Sequence, residues 1–142
     1  MNQQSIFIPF FGVMVLTILV WMYMYYERLR YVKRQNIDPQ SLATSKEVVE
    51  MIPAKINTPS ENLINLFELP VLFYATCIYI YVTHLVDMTN LLLAYGFLVF
   101  RVSHSVIHCT YNNVIHRFYM YIISSLILLV FIILAFIGAV NN

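Results

Sequence analysis

The chain is 142 residues long, 61% hydrophobic and only 11% charged, a balance too apolar for a domain dissolved in water. Its formal net charge of +1 provides no basic face for a phosphate backbone, which excludes an electrostatic binder of nucleic acid. The length suits a single domain over residues 1–142, an all-α integral membrane four-helix bundle whose apolar excess faces lipid.

Crossing the hydrocarbon takes about 20 apolar residues in a helix. The first stretch of that kind, 6–26, follows a lysine- and arginine-free start and is longer than a signal-peptide core, so it reads as a retained first span. A polar segment, 27–61, comes next, with Pro39, Pro53 and Pro59 as breakers. Within it the run Ser41 to Ser45 predicts a turn and cap, and Ser45 with Val48, Val49 and Ile52 predicts a short amphipathic helix on the membrane surface. Three further spans follow at 63–85, 89–111 and 118–140. Arg28, Arg30, Lys33, Arg34, Lys46 and Lys55 all belong to the long polar segment, which the positive-inside rule assigns to the cytoplasm. Four spans then put both termini on the other side. Cys77 and Cys109 lie in apolar stretches without disulfide or CxxC spacing and read as core residues.

Charge inside a span is expensive and marks either packing or function. Asn62, Asn65 and Glu68 recur every three residues, which predicts one polar side near the cytoplasmic end of a continuous second span. Arg101, His104 and His108 do the same on the third, with Glu68 and His104 on the order of 10 Å deep at 1.5 Å per residue. An ion pair of Glu68 with Arg101 would lower the cost of burying both. A purely structural role, with polar contacts joining helices, explains the same spacing. A metal site of His104, His108 and Glu68 is the weaker alternative, since HxxxH here lacks the glutamate base of HExxH, and no metal is expected. Arg117 alone is compatible with a snorkelling span-end residue.

The segment Asn65-Leu-Phe-Glu68-Leu-Pro70, then Arg101-Val-Ser-His104, then Arg117, resembles the MAPEG family, the membrane-associated proteins in eicosanoid and glutathione metabolism. The likeness covers nearly the whole chain and is strongest to bacterial members with a Cys-Thr-Tyr-Asn-Asn type turn, which implies an inner or plasma membrane. It implies a homotrimer that binds glutathione between subunits and acts as a transferase or peroxidase on lipophilic electrophiles arriving from membrane lipid. By residue, it implies that Asn65, Glu68 and His104 contact glutathione and that Arg117 stabilises the thiolate. It also implies a contact from Tyr121, and from Arg30 or Arg28 at the end of the first span, with Arg30 preferred by its spacing to Pro39. His108 stands where a better-known member has tyrosine, Phe118 where it has serine and Ile64 where it has arginine. Pro70 follows Glu68 by two residues, closer than in the family pattern. Against this enzyme stands a non-catalytic scaffold, or a binder of lipid or a partner, in which the polar residues only satisfy one another. Arg101 reads as the structural partner of the set.

Overall fold

The computed structural model describes residues 2–141 and is helical from end to end. A 3-10 turn, Gln3–Ile6, leads into α1 (Phe7–Gln35). After a second 3-10 turn, Pro39–Leu42, come α2 (Ser45–Met51), α3 (Ala54–Leu66), α4 (Leu69–Val82), α5 (Met88–Cys109) and α6 (Val114–Asn141). Among the described residues, four units are long and apolar enough to cross a membrane: Gln3–Gln35, Ala54–Val82, Met88–Cys109 and Val114–Val140. The protein is an integral membrane four-helix bundle.

The helices outrun the apolar stretches on the side of the long connection. α1 continues through its basic residues to Gln35, because arginine and lysine are good helix formers and Lys33 and Arg34 in the last turn favour its negative end. It stops where Asn36 turns left-handed at φ 49° and Asp38-Pro39 begins a new turn. The short helix α2 is capped one residue earlier than expected, by Thr44. The Glu47 amide donates to the Thr44 hydroxyl and the Glu47 carboxylate accepts from the Thr44 amide, the reciprocal pair of a capping box. α3 tolerates Pro59 because the carbonyl this proline leaves without a donor, Lys55 O, accepts from the Thr58 hydroxyl at 3.1 Å.

The second span is two helices. Pro70 has no N–H for the carbonyl of Leu66, so the ladder breaks across Phe67 and Glu68, where Glu68 adopts φ −90° and ψ −96°. The three-residue polar stripe expected on a continuous helix is therefore interrupted. Asn62 is fully buried and Asn65 half-buried, whereas Glu68 is exposed on the flank of the single chain.

The half of the bundle nearer the termini is packed with apolar side chains. Phe73 stacks on Phe97 with ring centres 4.5 Å apart and lies 6.0 Å from Phe131, which joins the second, third and fourth spans. Ile6 of the first 3-10 turn, with Phe10 and Val13 of α1, closes this core. Gln3 pins the end of that helix to the turn after α4, donating to Val86 O at 3.4 Å and accepting from Val86 N at 3.1 Å. The half nearer the long connection is packed differently. Its small apolar cluster, Leu16, Val20 and Leu66, borders a polar one.

Candidate active site

The polar cluster is built on α5. Arg101, His104, Ser105 and His108 recur at helical spacing, so they form one stripe, and all four are buried. Ser105 donates to Asn62 Oδ1 at 3.3 Å, and Asn62 Nδ2 in turn approaches Cys109 Sγ at 3.5 Å, which ties α3 to α5. His104 and His108 meet edge to face at 5.6 Å, and His104 lies 5.7 Å from the Tyr121 ring of α6.

Arg117 reaches this stripe from the first turn of α6. The turn between α5 and α6 is made by adjacent asparagines. Asn112, left-handed at φ 46°, ends α5 with its amide bonded to Ile107 O at 2.8 Å. The Asn113 side chain then caps α6, accepting from the amides of Ile115 and His116. A cation in a first helical turn works against the helix dipole. Here it is held by acceptors: Nη1 of Arg117 bonds to His108 Nε2 at 2.8 Å and to Asn112 Oδ1 at 2.9 Å.

These partners fix both imidazole tautomers. A guanidinium only donates, so His108 Nε2 is the bare nitrogen and its proton is on Nδ1. His104 Nδ1 faces the carbonyl oxygen of Arg117 at 3.0 Å and must carry the proton, which leaves Nε2 as a buried acceptor with no partner among the described residues. The Glu61 carboxylate stands 3.6 Å from His108 Nε2, but that nitrogen has no proton to give it. Glu61 therefore adds negative field beside the Arg117 contact without forming an ion pair with the ring.

Asn65, His104, Arg117, Phe118 and Tyr121 line one cavity of about 170 Å³, so four of the residues expected in the site share a wall. His108 stands behind Arg117 as its anchor. Glu68 and Arg30 are not among the lining residues. The Arg30 guanidinium lies on exposed α1, 3.5 Å from the Tyr26 hydroxyl, whereas Arg28 turns inward and donates to Asn57 at 2.9 Å. The expected ion pair of Glu68 with Arg101 is not formed. Arg101 is 0% exposed, its guanidinium lies 5.3 Å from the Phe97 ring centre and 4.9 Å from that of Tyr121, and none of its nitrogens has a hydrogen-bond partner among the described residues. No group of three or more potential metal-ligating side chains comes together among the described residues.

Two contributors had no site role assigned from the sequence, although Asn112 lies just beyond the polar stripe of the third span. Asn112 offered the signal of a doubled asparagine between two spans, which suits a helix stop followed by a helix start. Glu61 offered none, since its approach to His108 depends on how α3 lies against α5.

A four-span helical bundle with an anchored arginine facing a small polar cavity at one end of its third and fourth spans defines the class of membrane protein. The chain belongs to the MAPEG family, whose model matches residues 6–137. The family includes glutathione transferases and peroxidases as well as non-catalytic members. No curated protein and no solved structure matches the chain significantly.

Proposed function

We propose that this protein is a glutathione-dependent membrane enzyme, a transferase or peroxidase acting on lipophilic electrophiles, with Arg117 stabilising the thiolate. The observation that carries this reading is the anchoring of Arg117. His108 and Asn112 hold the guanidinium beside a cavity also lined by Asn65, His104 and Tyr121, although a cation in that first turn gains nothing from the helix dipole. A positive, partly dehydrated group favours a thiolate over a thiol by charge and hydrogen bonding. In the transferase reaction the sulfur forms a bond to the electrophilic carbon while the leaving group departs with its electron pair. In the peroxidase reaction the sulfur takes the terminal peroxide oxygen, an alcohol leaves, and a second glutathione reduces the sulfenic acid to a disulfide with loss of water.

A homotrimer completes the site in this reading. A cavity of about 170 Å³ is smaller than the roughly 300–1,000 Å³ of ordinary small-molecule sites, so one chain holds only part of a tripeptide. Glu68, exposed at the flank, and the unpartnered guanidinium of Arg101 are both expensive in lipid. A neighbouring subunit supplies what Glu68 lacks, whereas Arg101, 0% exposed, is met within the bundle by the rings of Phe97 and Tyr121. The long connection faces the cytoplasm and both termini the opposite side, by the distribution of Lys and Arg.

The test is turnover of an activated chloronitrobenzene by detergent-purified protein with and without glutathione. Activity requires glutathione and falls on the order of 100-fold in Arg117→Ala, as for the loss of one preorganised donor. If glutathione neither supports turnover nor raises the melting temperature of the wild-type protein, the reading fails and the scaffold role takes its place.

A further inference from the structure

A second and larger cavity lies outside the candidate active site. It occupies about 460 Å³ between the end of α1, the connection carrying α2, and α3. Arg28, Asn57 and Glu61 supply its charged and amide groups, and Leu42, Val48 and Ile64 its apolar wall. Arg28 comes two residues after Tyr26, where the apolar stretch of α1 ends, so this cavity lies at headgroup level.

Neither of its charges is paired with an opposite charge of the chain among the described residues. Arg28 Nη2 donates to Asn57 Oδ1 at 2.9 Å, yet Nε is buried with no partner and no carboxylate pairs with the guanidinium among the described residues. Glu61, its side chain 60% exposed, has only His108 within ion-pair distance, and that ring is neutral in the tautomer set by Arg117. Ile64 and Val49 leave large apolar surface open beside these charges. The cavity thus offers one site for an anion, one for a hydrogen-bonding cation and an oily flank, all at the membrane surface.

We propose that this cavity binds the headgroup of an aminophospholipid. The phosphate sits on Arg28, the primary ammonium on Glu61, and the acyl chains leave along Ile64 toward the bilayer. Phosphatidylethanolamine carries both headgroup charges. Phosphatidylglycerol lacks the cation, and phosphatidylcholine has a cation without N–H groups to donate. The cavity adjoins the candidate active site, since Glu61 stands 3.6 Å from His108, but its proposed ligand is a lipid and its test reads lipid binding without turnover.

The experiment is a lipid titration of the full chain in detergent, read by native mass spectrometry and melting temperature, with phosphatidylethanolamine, phosphatidylglycerol, phosphatidylcholine and soluble phosphoethanolamine as separate arms. Phosphatidylethanolamine is expected to bind on the order of tenfold more tightly than the other two lipids, the worth of one charge-assisted hydrogen bond. Arg28→Gln weakens all three lipids together, since each carries the phosphate, and keeps the order among them. Glu61→Gln, which keeps the phosphate contact, brings phosphatidylethanolamine and phosphatidylcholine to equal affinity. Phosphoethanolamine alone binds more weakly than the lipid, since it lacks the chains. Equal binding of the three lipids by the wild-type protein, or an undiminished preference in Glu61→Gln, overturns the assignment.

Discussion

The two ends of the bundle are built by different physics. Toward the termini, Phe73, Phe97 and Phe131 fill the space among three spans with rings, and the few polar contacts, such as Gln3 on Val86, sit at the rim. Toward the long connection, buried polar groups replace the rings: Asn62, Ser105, His104 and His108 lie at the depth where the other end would have aliphatic side chains. Helices in lipid associate through packing and hydrogen bonds more than through the hydrophobic effect. One end relies on close packing. The other trades packing for groups that hold an arginine in position.

Substitutions that act on one end and spare the other separate these roles. The largest effect is expected from Phe97→Ala, which removes the ring stacked on Phe73 and should lower stability by about 3 to 5 kcal/mol. Unfolding in mixed micelles measures it, and specific activity per folded molecule should fall far less than in Arg117→Ala, the ring's one contact with the polar stripe being Arg101. Arg117→Ala reverses this pattern, with the roughly 100-fold activity loss given above and a melting temperature close to that of the wild type. His108→Leu leaves Arg117 with Asn112 as its remaining side-chain acceptor, and activity should drop about tenfold while glutathione still binds, the loss of one charged hydrogen bond. Titration of glutathione by calorimetry distinguishes that outcome from loss of the site. Asn62→Leu cuts the link from α3 to Ser105 and should cost about 1 kcal/mol, seen as earlier thermal unfolding. The smallest change is expected of Gln3→Ala, about 0.5 to 1 kcal/mol for two rim hydrogen bonds, detectable as faster proteolysis near the N-terminus. If Phe97→Ala and Arg117→Ala affect activity and stability in the same proportion, the division between the two ends is wrong.

The spans were legible in the sequence because lipid imposes a minimum run of apolar residues, and their number follows from counting such runs. Their ends were not, since Glu27 to Gln35 can stay helical in water as readily as the residues before them stay helical in lipid, and hydropathy is blind to the difference. The site was half legible. Periodicity on α5 placed Arg101, His104 and His108 on one stripe correctly, because nothing interrupts that helix. The same reasoning failed for Glu68, because the effect of Pro70 on the preceding turn moves this residue off the stripe that Asn62 and Asn65 begin. The contact of His108 with Arg117 runs across a turn, where neither the period of a helix nor the spacing of a motif predicts a distance.

That turn has a consequence for how the protein tolerates change. Asn112 closes one helix and its side chain holds Arg117, while Asn113 opens the next, so two consecutive residues set both the register of α6 and the aim of its arginine. One inserted residue would rotate α6 by about 100° and swing the guanidinium away from His108. The connection between α1 and α3 carries no such double duty toward Arg117. A change of length there would disturb the second cavity and leave the aim of Arg117 untouched, whereas the asparagine turn is the stretch whose length a designer should leave alone.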